Sequence, residues 1–265
     1  MSFRRIVQIS SLTLFFFLLI AAAYSAAYYI PADAFLRLDP LIMGGAFFAA
    51  RTFSAAFIPV ILLLVVSVVL GRVFCGYICP MGTTLDASDY LIGAPKGNSQ
   101  SLPNLRPIKY YLAIFLFGAA ILGVSLIFIA SPLALITRLF GLIFLPVLEL
   151  FSEEALLLVQ PVADKLDWQA LVFTQLKTTR FATQFFIMIS FILLFASALF
   201  SPRFWCRYLC PSGAVMALFS KKPFIGRRVS EECDDCGLCQ KACPMAAIPD
   251  NPIVTSHEEC IACRT

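Results

Sequence analysis

Ten cysteines hold most of the chemistry that this 265-residue sequence offers, and they fall into three groups. The densest is the run Cys233-x2-Cys236-x2-Cys239-x3-Cys243-Pro244, which has the spacing of a bacterial ferredoxin. Two-residue loops let three thiolates grip three irons of one cubane, and the fourth cysteine of such a run ligates the other cluster. Zinc also binds Cys-x2-Cys pairs, but four cysteines in this spacing ending in Cys-Pro suit iron–sulfur chemistry better. A second run opens at Cys260-x2-Cys263, and the sequence ends at Thr265 before a third or fourth cysteine. The expectation is one intact 4Fe-4S cluster at most if this tail is complete, and two if it continues. His257, the only histidine, stands three residues before Cys260 and is either a substitute ligand or solvated.

The other four cysteines sit in two copies of one motif. Residues 71–82, GRVFCGYICPMG, match residues 202–213, PRFWCRYLCPSG, at a constant offset of 131. Arg72 matches Arg203, Phe74 matches Trp205, Tyr77 matches Tyr208, and Gly82 matches Gly213. The cysteines pair as Cys75 with Cys206 and Cys79 with Cys210, each second one followed by proline. Two residues four apart share a face if the segment is helical. The proline suits the first position of a following helix, and a thiolate at a helix N-terminus has a lowered pKa. If pseudo-two-fold symmetry brings the pairs together, four sulfurs suit an iron–sulfur or other metal centre. Buried packing or a redox dithiol is the alternative. Arg72 and Arg203 would either anchor the chain at a cytoplasmic membrane face or stabilise a reduced, anionic centre. Tyr77 and Tyr208 read as interfacial belt residues.

The elements that must position these groups are apolar. Hydrophobic residues make up 60% of the chain and charged ones 14%, against about 25% charged in a soluble domain. That excludes an ordinary water-soluble globule and a disordered chain, and one histidine excludes a bis-histidine haem. Four stretches approach the roughly 20 residues that a bilayer requires: 6–30, 52–70, 110–130 and 184–200. The first is longer than a signal peptide's apolar core and lacks a clean cleavage site, so it reads as a retained helix. With both termini in the cytoplasm, 14 Lys and Arg lie inside and 6 outside, as the positive-inside rule favours. Residues 41–50, with Gly44–Gly45 as a helix breaker, and residues 131–151, from Ser131–Pro132 through Arg138, are expected to lie at or dip into the outer interface. Residues 152–173 read as an amphipathic outer lid. Arg51 reads as snorkelling to the interface or contacting a quinone headgroup.

The fold expected is therefore an all-α integral membrane protein with four transmembrane helices in two repeated hairpins. A small C-terminal ferredoxin-like α+β segment would follow. The boundaries read as 1–107 for the first hairpin, 108–222 for the second and 223–265 for the cytoplasmic segment.

Taken together, Phe74-Cys75-x3-Cys79-Pro80, Trp205-Cys206-x3-Cys210-Pro211 and the ferredoxin run resemble the membrane-bound polyferredoxins of the NapH, NosR and CcoG type. The resemblance covers nearly the whole chain. It implies a multi-pass protein of a bacterial inner membrane that transfers electrons. NapH-like members pass electrons from quinol, and CcoG-like members are linked to copper reduction. Two functions stay open. One is a relay between cytoplasmic 4Fe-4S clusters, the Cys75/Cys79/Cys206/Cys210 centre and quinone or a redox partner subunit. The other is a copper reductase or metalloenzyme assembly factor using the same four cysteines. A third reading is a structural anchor for a partner complex. No flavin motif, nucleotide loop or nucleic-acid patch is present, so a redox partner is expected. Lys221, Lys222, Arg227 and Arg228 would face anionic lipid.

Overall fold

The computed structural model describes residues 3–23, 33–94, 105–148, 150–151, 184–229, 233–249 and 251–263. It is mostly helical, with no strand among the described residues. The chain divides into two units, one of Met1–Leu135 with Leu194–Thr265 and one of Ile136–Leu193. The lid expected at 152–173 lies outside the described residues.

Helix α1, Phe3–Ala23, is apolar and long enough to cross a membrane. The other apolar helices are shorter: α3, Pro40–Ala50; α4, Ile58–Leu70, with a 3-10 turn before it; α6, Pro107–Ile121; and α9, Gln184–Ala196. Between them lie the short α2, Ala34–Arg37, the helix α5, Pro80–Ile92, and α7, Ile127–Ala130. Helix α8, Pro132–Leu139, runs into a π turn over Phe140–Phe144, and the Gln184 side chain donates to the Leu142 carbonyl there. Helix α10 covers Pro211–Phe219, and α11, Leu238–Ala242, belongs to the tail.

Gly44–Gly45 does not break α3. A side chain on Gly45 would collide with Ile127, and one on Gly44 would come within 2.8 Å of the Phe117 ring. The pair is small because other helices press on α3, as in membrane helix packing. Leu41, Ile42, Leu116, Ala120, Ile127 and Ala134 form the buried cluster that results. Arg51, exposed and with φ +52°, terminates α3.

Residues 41–50 and 131–151, expected at or dipping into the outer interface, belong to helices that start beside the cysteine motifs. The Ser212 hydroxyl donates to Asp39 at the start of α3, and Pro132 at the start of α8 lines a cavity with the motif cysteines. In both cases an N-cap residue followed by proline starts the helix at that cavity, not away from it.

The tail is held by loops rather than by a sheet. The Ser256 N–H donates to the Ala247 carbonyl at 2.8 Å, one bond where the expected strands would need a ladder. Arg227 ties the tail's loops by donating to the Pro252 carbonyl and the Thr255 hydroxyl.

Candidate metal centres

Each Cys-x3-Cys-Pro segment folds the same way. Phe74–Ile78 and Trp205–Leu209 are single π turns, closed by Cys79 N–H to Phe74 at 2.9 Å and Cys210 N–H to Trp205 at 2.8 Å. The expected α-helical spacing is thus replaced by a wider turn, a form frequent at functional sites. The second cysteine of each then swings to extended backbone and N-caps the helix that its proline begins. The Gly213 N–H donates to Cys210 Sγ at 3.2 Å.

All four cysteines line one small cavity of about 20 Å³, with Asp39, Arg72, Leu133, Ser212, Gly213 and Met216 among its other walls. Cys79, Cys206 and Cys210 are buried, and Cys75 lies 3.5 Å from the Met216 sulfur. As thiols, Cys79, Cys206 and Cys210 do not have the lowered pKa that a helix N-terminus alone would give. Burial pushes Cys206 up to about 11 against the pull of Arg203 and Arg72, and raises Cys79 and Cys210 against the pull of nearby N–H groups.

The arginines of the two copies are fully buried, so surface anchoring is not their role. Arg203 reaches across to the first copy. It donates to both oxygens of Asp86, at 2.5 and 2.7 Å, and to the carbonyls of Cys75 and Gly82. Burial works against the Asp86 charge, but Arg203 and Arg4 hold the carboxyl below its ordinary range. Arg72 reaches the other way. Its NH1 donates to Glu259 at 3.0 Å and to the Glu258 carbonyl at 3.2 Å. Its Nε and NH2 are buried without a partner. A Cβ on Gly213 would sit 2.5 Å from that NH2, which places the guanidinium against the cysteine loop. Orphaned donors at a cavity of four thiols are the fit expected for an anionic sulfur cluster.

Asp39 and Glu259 escape the motif reading. Asp39 is buried, caps α3 through the Leu41 N–H, and accepts from Ser131 and Ser212. Its sequence signal is Asp39-Pro40, an N-cap followed by proline. Glu259 is 2% exposed and pairs with both Arg72 and Lys109. Its neighbour Cys260 gave no hint of that.

The tail cysteines form a second set. Cys239, Cys243, Cys260 and Cys263 line a cavity of about 690 Å³ with Tyr77, Arg227 and His257. Burial raises the Cys260 thiol, and Cys263 and Cys243 lie close enough to add to that. The structure thus groups the third and fourth cysteines of the first run with both cysteines of the second; in two-cluster ferredoxins the fourth belongs with the second run. Two of the three Cys-x2-Cys loops share a backbone signature: Asp235 and Ala262, each just before the second cysteine, have φ +52° and +50°. Such left-handed turns aim successive N–H groups inward and recur at iron–sulfur sites. His257 is not simply solvated: its Nδ1 is buried without a partner, and Gly226 packs on its ring. Cys233 and Cys236 do not line either cavity; Cys236 is exposed.

The two sets touch. Tyr77 donates to the Ala262 carbonyl at 2.9 Å, and a Cβ on Gly76 would lie 2.6 Å from the Ile261 carbonyl oxygen. Tyr77 is therefore a docking residue for the tail, not a belt residue. Among the described residues, no three His, Cys, Asp or Glu side chains close tightly enough to hold a single ion.

One thiol cage built from a duplicated motif, beside loops with ferredoxin spacing, suits iron–sulfur chemistry. The family described as "4Fe-4S binding domain" matches residues 52–98 and 183–230, two segments that begin 131 residues apart and each contain one Cys-x3-Cys-Pro motif. The chain is 30% identical over 221 residues to "Putative electron transport protein YccM" of Escherichia coli (strain K12), covering 80% of this chain and 52% of that protein. It is 24% identical to "Ferredoxin-type protein NapH" of Haemophilus influenzae, over 98% of this chain and 83% of that one. It is 27% identical to "Regulatory protein NosR" of Stutzerimonas stutzeri, over 73% of this chain and 22% of that one. The chain thus spans about half the length of the Escherichia coli relative. No solved structure matches. Two segments of the chain, one around each Cys-x3-Cys-Pro motif, thus match the 4Fe-4S binding domain, and the chain is similar to ferredoxin-type and electron-transport proteins.

Proposed function

We propose that the chain is a membrane electron relay with two iron–sulfur sites. One is held by Cys75, Cys79, Cys206 and Cys210, and the other by Cys243, Cys260 and Cys263. Iron–sulfur clusters supply one-electron carriers whose potentials the protein sets. The residues between the sites do the rest. Gly76, next to Cys75, lies against Ile261, next to Cys260, so a few covalent bonds and one contact join them. That contact is the observation that carries the relay reading. Arg72, Lys109 and Tyr77 hold the tail in place. In this reading α1, α4, α6 and α9 span the bilayer, and the termini lie in the cytoplasm. The cytoplasmic segment begins near residue 223, and a redox partner subunit or quinone completes the circuit. The names of the YccM and NapH relatives, electron transport and ferredoxin-type, agree with it.

A copper-handling reading has one observation behind it. Met216 Sδ lies 3.5 Å from Cys75 Sγ in the same cavity, a soft pair that suits copper(I). The 4Fe-4S family matches that contain these cysteines favour the cluster.

The test is iron and acid-labile sulfide per chain, with low-temperature EPR, on anaerobically purified protein and its Cys75→Ser/Cys206→Ser variant. The variant is expected to lose iron, sulfide and one paramagnetic signal while a second signal stays. Unchanged iron and spectra would transfer the four cysteines to the copper reading, and titration with copper(I) would then saturate the wild type alone.

A further inference from the structure

Four helices of eight or more residues begin at the wall of the four-cysteine cavity, each with proline at its first position. They are α3 after Asp39, α5 after Cys79, α8 after Ser131 and α10 after Cys210. Each N-terminus presents roughly half a positive elementary charge. Arg72 adds a full charge, with two unpartnered N–H groups at the same wall. Arg203, also fully buried, donates to the backbone of the Cys75 loop. Asp39 is the opposing acid at that wall, and Ser131, Ser212 and the Leu41 N–H already engage it. Asp86 and Glu259 are each bound to an arginine farther out.

At the tail the charges are mixed: Arg227 is on the cavity wall, Glu259 is already paired with Arg72 and Lys109, and other acids flank the cysteines. Asp234 and Asp235, both exposed, stand between Cys233 and Cys236. Glu258 and Glu259 directly precede Cys260. Arg227 is the cation that acts on Cys260.

We propose that Arg72 and the four proline-started helix ends make the buried four-cysteine site the electron-accepting end of the chain, so that electrons run from the tail inward. The inference rests on the relay reading. The step is a transfer of one electron: the tail centre is oxidised, the four-cysteine centre is reduced, and no bond forms or breaks. A low-potential one-electron donor must supply the tail. Reduction adds a negative charge, which fixed positive charge favours and burial alone opposes. Salt does not screen a fully buried guanidinium as it screens surface charge, so its field persists at the site.

The experiment is an EPR-monitored redox titration of the full chain in detergent, with dithionite as reductant and the two signals assigned by the Cys75→Ser/Cys206→Ser variant. The four-cysteine signal is expected at the higher midpoint. Arg72→Gln is expected to shift the equilibrium between the two centres at least tenfold toward the tail, about 59 mV for one electron. Arg72→Lys should recover part of it. A four-cysteine midpoint at or below the tail's overturns the direction and leaves the relay standing. A second signal that is absent altogether sinks the relay itself. Should Arg72→Gln fail to fold, the order of the two wild-type midpoints still decides.

Discussion

In the first copy of the repeat, position 76 is glycine, and the Ile261 backbone of the tail lies against it. The matching position of the second copy is Arg207, buried, with its NH1 on the Ser201 hydroxyl and its guanidinium 5.1 Å from the Tyr208 ring centre. The tail's Cys243 and Glu259 still act on that guanidinium, so the second copy also meets the tail, by a different residue. The acids differ too. Arg203 finds its carboxylate in the other copy, at Asp86. The residue that would serve Arg72 symmetrically is Ala217, and the tail's Glu259 takes that place instead. Duplication thus builds a thiol cage from two like motifs, and these two differences set how each half meets the tail.

The comparison breaks most visibly at Asp86. Asp86→Asn leaves Arg203 and Arg4 without their carboxylate. Losing one partner of a buried pair costs 3–5 kcal/mol, and the partial exposure of Asp86 sets the expectation at about 3 kcal/mol. The full chain should show a lowered thermal midpoint in detergent, with both copies affected, because Arg203 also braces the Cys75 loop. Glu259→Gln should cost about as much locally but act elsewhere. Arg72 and Lys109 would lose their shared acid, and the tail would loosen from the first copy. Hydrogen exchange should rise over residues 257–263 and stay unchanged over 205–213. Equal rises in both segments would mean that the tail is not docked on the first copy alone.

Gly76→Ala sharpens the same point with one methyl group. Its Cβ must displace the Ile261 carbonyl, at an overpacking cost of about 1–3 kcal/mol. The expected result is faster exchange at Ile261 and Ala262, whereas Arg207→Ala in the second copy leaves them unchanged. Tyr77→Phe removes one hydrogen bond to Ala262, worth about 1 kcal/mol, or roughly fivefold in exchange at Cys263 and its neighbours.

Much of this was legible in the sequence for physical reasons. The offset of 131 between the motifs marked the two segments that match one family, and Pro80 and Pro211 marked the start of α5 and α10. Local chemistry fixes those features, so spacing reveals them. The apolar run 41–50 misled because its two glycines act through Phe117 and Ile127, residues more than 70 positions away. Glu259 was invisible for the same reason. Its meaning lies in Arg72 and Lys109, 187 and 150 residues distant. The pKa expectation for the cysteines failed where a local rule, the helix N-terminus, met burial, which only the assembled fold reveals.

Position 89 gives the smallest and most specific contrast. In the first copy it is Asp89, whose carboxylate accepts the Arg203 N–H at 2.8 Å while its other oxygen is buried without a partner. In the second copy the matching residue is Ser220, a neutral hydroxyl donating to the Met216 carbonyl. Burial, helped by the nearby Asp86 charge, pushes Asp89 up to about 6, against about 3.9 in an unfolded chain. Below both values the group is protonated in either state and costs nothing. Between them the fold binds the extra proton, so stability falls as pH rises from about 4 to about 6 and is flat above. Asp89 is only partly buried, so solvent screening keeps the effect below about 1 kcal/mol. Asp89→Asn should erase that slope in a thermal-midpoint series across pH 4–7, with Ser220→Ala as the second-copy control that leaves it intact. A slope that survives Asp89→Asn would mean that the pH response does not belong to the first copy.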